Sequence, residues 1–156
     1  MPLFDELIEY LGYWEFYKYL ISTYEEILNE KTQLKSKNKP NQLQTKLTDT
    51  QRGKLYDLLV RLGYLPDKDK EGFIWAFGGV NDNYTSYSTE WLKNKNLGVY
   101  LIDSICIDNG KLWAIGSRIF DIKNMAQIKQ NYFSINQTSK PKGYELIDKI
   151  ISEAQK

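Results

Sequence analysis

Residues 91–151 read WLKNKNLGVYLIDSICIDNGKLWAIGSRIFDIKNMAQIKQNYFSINQTSKPKGYELIDKII, and their spacing decides the fold class. Leu97, Leu101 and Ile105, with Val99 and Ile102 beside them, recur at helical period. Ser88 or Thr89 stands where an N-cap is wanted, for a helix beginning near Trp91. LWAIGSRIF forms a second apolar run and Asp121 to Asn124 a turn. Met125, Ile128, Tyr132 and Ile135 follow at 3-4-3 spacing, which predicts a third helix. YELIDKIISEA closes the chain as a helix burying Leu146, Ile147, Ile150 and Ile151. One ambiguity stays open over residues 99–115. VYLIDSICI and KLWAI flank Asp-Asn-Gly, which is also a hairpin signal; helical period upstream favours helix–turn–helix.

Upstream, Thr48 and Gln51 have capping-box spacing. Leu55, Leu58, Leu59 and Leu62 make one face, Gly63 suits a left-handed C′ position, and Pro66 forbids continuation. A helix is expected over 49–62. In DKDKEGFIWAFGG, Asp67, Asp69, Glu71 and Gly72 match the first, third, fifth and sixth places of an EF-hand loop. The twelfth place, where a bidentate Glu belongs, is Gly78. The stretch therefore reads as a short helix over 69–77 with an acidic first turn, and no metal or cofactor is expected.

At the N-terminal end, Leu3, Leu7, Tyr10, Trp14, Tyr17, Ile21, Tyr24 and Leu28 are spaced 4-3-4-3-4-3-4, an a/d heptad seam. Tyr13, Leu20, Ile27 and Leu34 widen it. One long helix follows, over 3–34, with Gly12 a weak point. Its widened stripe resembles the core-facing side of a domain helix. The alternative is a homodimer or protein partner held at Tyr10, Trp14, Tyr17 and Tyr24. The polar, basic stretch 36–47, broken by Pro40, reads as a linker. The organisation expected is an amphipathic helix over 1–35, a basic linker over 36–47 and a helical domain over 48–156. That domain carries a helix-turn-helix or winged-helix-like module at 88–151. The fold class is mostly α.

Composition narrows the chemistry. The 156 residues include no His and one Cys, Cys106, so the usual neutral-pH base, disulfides and cysteine-rich zinc sites are excluded. No Ser/His/Asp or Cys/His set, P-loop or dinucleotide fingerprint is present, and an enzyme is not expected. No run reaches the roughly 18 apolar residues of a membrane span. The opening MPLFDELIEY lacks the basic start of a signal peptide, so a cytoplasmic protein is expected. Net charge is +1 overall but −4 over 1–35 and +5 over 111–143.

The basic block supplies the residue types that read DNA. Gln127, Lys129, Gln130 and Asn131 fall on the third helix of the module. Asn and Gln pair with adenine, and Arg and Lys with guanine. Arg118 and Lys123 before that helix, and Lys140 and Lys142 after it, are candidates for phosphate contacts that set register.

Trp91, Lys95, Leu97, Leu101, Ile102, Ile119, Phe120, Asn131, Tyr132 and Phe133, with Ile147 and Asp148, follow a pattern that resembles the RteC family, regulators of excision of conjugative transposons. The resemblance spans about sixty residues. It implies a helical fold with a winged-helix-like DNA-binding part. Two functions are therefore expected in competition. One is a non-catalytic accessory or transcriptional or excision regulator of a mobile element, binding duplex DNA. The other is a protein-interaction module acting through the aromatic N-terminal helix, with no nucleic-acid site.

Overall fold

A computed structural model describes the backbone of residues 2–36, 41–136 and 140–156, and the side chains of 9, 12–28, 41–132 and 140–156. Seven α-helices lie among them: α1 (Pro2–Ser36), α2 (Asp49–Arg61), α3 (Lys70–Ala76), α4 (Lys95–Ile105), α5 (Leu112–Phe120), α6 (Met125–Asn136) and α7 (Tyr144–Ala154). The fold is all-helical. The described residues contain no strand, only an isolated antiparallel bridge between Thr45 and Cys106. Two compact units result, Met1–Asn38 and Lys39–Lys156.

Local chemistry sets the ends of α2. Thr48 accepts from the Gln51 N–H at 3.3 Å, while the Gln51 side chain accepts from the Thr48 N–H at 3.0 Å. At the far end Gly63 takes φ +74°. The Tyr64 N–H reaches Leu59 O at 2.8 Å and the Gly63 N–H reaches Val60 O at 3.0 Å, a Schellman motif clasped by buried Tyr64 and Leu59. The end of α3 repeats it, with Gly78 at φ +102° and the Gly79 N–H on Ile74 O at 2.9 Å. A Cβ at position 63 meets nothing closer than 3.7 Å, so a substitution there isolates backbone strain. Gly63→Ala is expected to cost about 1–2 kcal/mol in urea unfolding; an unchanged midpoint would contradict the left-handed cap.

In the Lys39–Lys156 unit, α2 packs on α3 and α7, α4 on α6 and α7, and α5 on α6 and α4. Leu55, Leu59, Phe73, Trp75, Phe77, Leu101, Ile102, Ile119, Phe120 and Ile147 fill the core. Residues 41–47 correct the expected linker: Gln42, Leu43 and Leu47 are buried. The Gln42 amide donates to Trp75 O (2.7 Å) and Gly79 O (2.9 Å), and the Leu43 N–H to Ala76 O (2.7 Å). Residues 37–40 of that stretch lie outside the described residues.

The helix expected from Trp91 starts instead at Lys95, capped by Asn94. Residues 89–92 are held from outside, with the Thr89 and Trp91 N–H groups on Ile119 O and Phe120 O and the Leu92 N–H on Tyr64 O. The Trp91 indole N–H donates to Asn94 O at 2.9 Å. The hairpin left open over 99–115 does not form. Those residues finish α4, turn through Asx bonds from Asp108 and Asn109, and begin α5. Leu62 and Leu146, expected in the core, are exposed, and Ala154 takes the buried place on α7.

Burial also tunes the titration of this unit. Burial, helped by the nearby Asp103 carboxylate, pushes the Tyr132 hydroxyl up to about 12; burial raises Tyr87 as well. The fold thus holds the neutral phenol past the ordinary value of 10. Stability is full below pH 10 and is expected to fall as pH rises from 10 towards 12. Urea midpoints at pH 9, 10.5 and 11.5 check this, and Tyr132→Phe should flatten the fall.

Candidate nucleic-acid interface and the aromatic face of α1

The eight candidate DNA residues lie on three segments of the Lys39–Lys156 unit. On α6, Gln127, Gln130 and Asn131 share an exposed face opposite the inward-facing Met125, Ile128 and Tyr132. The Gln127 amide donates to Asn131 Oδ1 at 2.9 Å. Lys129 points elsewhere: it is partly buried, paired with Asp103 of α4, and lies 5.5 Å from the Tyr132 ring. Before α6, Asp121 and Asn124 adopt left-handed φ of 51° and 58°, so Asp121 fills the place where a turn often has Gly.

The flanking cations are divided in the same way. Arg118 is exposed, but donates to Asn41 Oδ1 at 2.9 Å and to Ala114 O at 3.4 Å. Lys140 sits 3.4 Å from Asp148 and 4.4 Å from the Tyr144 ring centroid. Asp148 in turn accepts from the Tyr100 hydroxyl at 2.7 Å, so Lys140 belongs to a junction of α4 and α7. Lys123 and Lys142 are exposed. Arg118 and Lys123 line a cleft of about 730 Å³ with Lys68, Glu90 and Asp121. Lys68 was not legible as a neighbour, because it is fifty residues upstream of Arg118. Two acids among three cations leave that cleft only weakly positive.

The asparagine–glutamine face of α6 therefore presents uncharged amides, and the one lysine of the helix that is described, Lys129, is turned to Asp103. The tri-helical order α4–α5–α6 is present. A β wing is not among the described residues.

No family model, curated protein or solved structure matches this chain.

The second candidate surface is on α1. Tyr10 lies outside the described side chains. From Tyr13 to Leu28, however, ten large apolar side chains are 43–67% exposed, including Trp14 (49%), Tyr17 (56%) and Tyr24 (63%). Within the Met1–Asn38 unit these side chains are exposed. On a helix of 100° per residue, Tyr13, Trp14, Phe16, Tyr17, Leu20, Ile21, Tyr24, Ile27 and Leu28 cover an arc of about 160°. Glu15, Lys18, Ser22, Glu25 and Glu26 occupy the opposite arc, with the exposed Tyr19 at its edge. Trp14 and Tyr17 stack with centroids 6.3 Å apart, and Lys18 lies 5.7 Å from the Trp14 ring. Lys18 also pairs with Glu15 at 3.2 Å.

Burial, with Asp103 close by, pushes the Cys106 thiol far above its ordinary range. A thiol held protonated is a poor nucleophile. Asp69, the best placed of the EF-hand-like acids, caps α3 by accepting from the Gly72 N–H and the Tyr84 hydroxyl, both at 2.9 Å. No group of three or more metal-ligating side chains occurs among the described residues, and no helix there is long and apolar enough to cross a membrane.

Proposed function

We propose that the protein is a non-catalytic association module whose working surface is the aromatic face of α1. The observation that carries this is the exposure of nine large apolar side chains on one face between Tyr13 and Leu28. Soluble monomers rarely expose a contiguous apolar patch beyond roughly 300–600 Å² without using it. Nine half-exposed aromatic and aliphatic side chains on one face present on the order of 900 Å². Tyrosine and tryptophan suit such a surface, since each offers large area and a polar tip that tolerates water. A photo-crosslinking amino acid at Leu20, in cells expressing the protein, is expected to give a discrete protein adduct. The same probe at Ser22, on the polar arc, should give none. Adducts to lipid alone, or equal adducts from both positions, would overturn the reading.

A second reading is duplex-DNA binding by the Lys39–Lys156 unit, as an accessory or regulator of a mobile element. Support comes from the exposed Gln127, Gln130 and Asn131 on the third helix of a tri-helical series, and from the likeness to the RteC family. Mixed duplex DNA is then expected to bind at ~50 mM salt, with affinity falling steeply as salt rises. Lys123→Ala and Lys142→Ala should each reduce the salt slope by about 1. Lys129→Ala and Lys140→Ala should instead act on stability, through the freed Asp103 and Asp148. No shift with any duplex at low salt sinks this reading.

A further inference from the structure

We infer that the occupant of the aromatic face is the same face of a second copy of this chain, laid against it antiparallel. The inference rests on the reading of α1 as an association surface. In heptad terms Trp14, Ile21 and Leu28 are a residues and Tyr17 and Tyr24 are d residues. Tyr13, Leu20 and Ile27 are then g, and Lys18 and Glu25 are e. One edge of the seam is thus apolar and the other charged, and both edges are exposed.

That asymmetry selects an orientation. Two parallel helices set g of one against e of the other. Leu20 would then face Glu25 and Tyr13 would face Lys18, stranding apolar area against charge. Antiparallel helices set g against g and e against e, so apolar edge meets apolar edge. Size points the same way. A parallel pair stacks identical residues in each layer, Trp14 on Trp14 and Tyr17 on Tyr17, too bulky for a narrow seam. An antiparallel pair sets a against d. In the register that places Ile21 against Tyr24 of the second copy, Tyr17 meets Leu28, so each phenol packs on an aliphatic side chain. The same register sets Lys18 opposite Glu25 twice and Leu20 opposite Ile27 twice. This alignment satisfies charge, edge and volume over residues 17–28; Trp14 falls opposite Lys31, at the end of the apolar seam.

The six apolar side chains that this register covers on each copy, Tyr17 to Leu28, present on the order of 600 Å², against about 800 Å² per partner in a standard interface, which fits a weak dimer. The intrahelical Lys18–Glu15 pair is exposed, and such pairs hold little. A bilayer is a poorer occupant, because the polar arc carries Glu15, Glu25 and Glu26 against Lys18 and would be repelled by anionic lipid.

Light scattering and sedimentation of the full chain from about 1 to 100 µM test this, with Lys18→Glu (K18E) and Glu25→Lys (E25K) as variants. Each variant alone sets like charges opposite each other at two places, and self-association is expected to weaken about tenfold or more. Mixing the two variants restores both attractions, so a heterodimer should form where neither variant pairs with itself. The double variant K18E/E25K should dimerise like the wild type. Helicity by circular dichroism should remain unchanged throughout. A dimer indifferent to both substitutions, or a mixture no better than its components, overturns the antiparallel pairing. A wild type monomeric to 100 µM overturns the second copy as occupant, and capture of that monomer by neutral-lipid vesicles would assign the face to a membrane. A photo-adduct to some other protein in that case would leave the association surface standing and remove only this inference.

Discussion

Tyr17→Glu is expected to raise the dissociation constant for self-association by about a hundredfold or more, while leaving the unfolding midpoint of the Lys39–Lys156 unit unchanged. In the monomer Tyr17 is 56% exposed, so a carboxylate there stays in water and costs the fold little. In the antiparallel pair the same position lies in the seam against Leu28, and the charge would be buried without a partner, twice per dimer. An unpaired charge in an apolar interface costs several kcal/mol. Tyr17→Phe is the control, since the hydroxyl has no required role in a seam layer, and it should dimerise at least as well as the wild type. Sedimentation gives the association constant and urea unfolding the stability. A Tyr17→Glu protein with a lowered unfolding midpoint and an unaltered mass would show that the face packs within one chain.

Phe73→Ala is the substitution expected to damage the fold most, by about 3–5 kcal/mol. Phe73 is fully buried. Its ring lies 4.4 Å from Phe77, 5.3 Å from Tyr56 and, edge-on, 6.5 Å from Tyr87. Truncation removes the centre of this aromatic cluster between α2 and α3. Large rings on several sides cannot collapse into the space, so the cavity remains and adds to the lost transfer energy. Marginal stability makes such a loss a large share of the total. A denaturation midpoint within 1 kcal/mol of wild type would show that the cluster is not the packing centre. Self-association of whatever fraction stays folded should persist, because no part of the α1 face is changed.

The helices that were legible in the sequence are those whose ends are set by neighbouring residues. Thr48 and Gln51 cap α2, Gly63 ends it, and α5 and α7 run over the stretches expected from their periodicity. These signals need only a few consecutive residues, and capping energy is local. The start of α4 was not legible, because what keeps 89–92 extended is a set of bonds to Ile119, Phe120 and Tyr64, far away in the chain. For the same reason residues 41–47 read as a solvated linker. Their polar composition says nothing of the Trp75 and Gly79 carbonyls that receive the Gln42 amide.

The candidate sites divide along the same line. Helical period identified the α6 face and the α1 seam by residue number, since period depends on order alone. It could not say which cations remain available. Lys129 is taken up by Asp103 across 26 residues, Arg118 by Asn41 across 77, and Lys140 by Asp148 on the following helix. Nor could it say whether an apolar stripe meets a partner in its own chain. The same helical pattern describes α4, whose stripe is buried within the Lys39–Lys156 unit, and α1, whose side chains from Tyr13 to Leu28 are exposed within the Met1–Asn38 unit. What the sequence by itself determined is where helices form and which side chains share a face. Which faces are covered was decided only by tertiary structure, because burial is a property of surfaces brought together from distant parts of the chain.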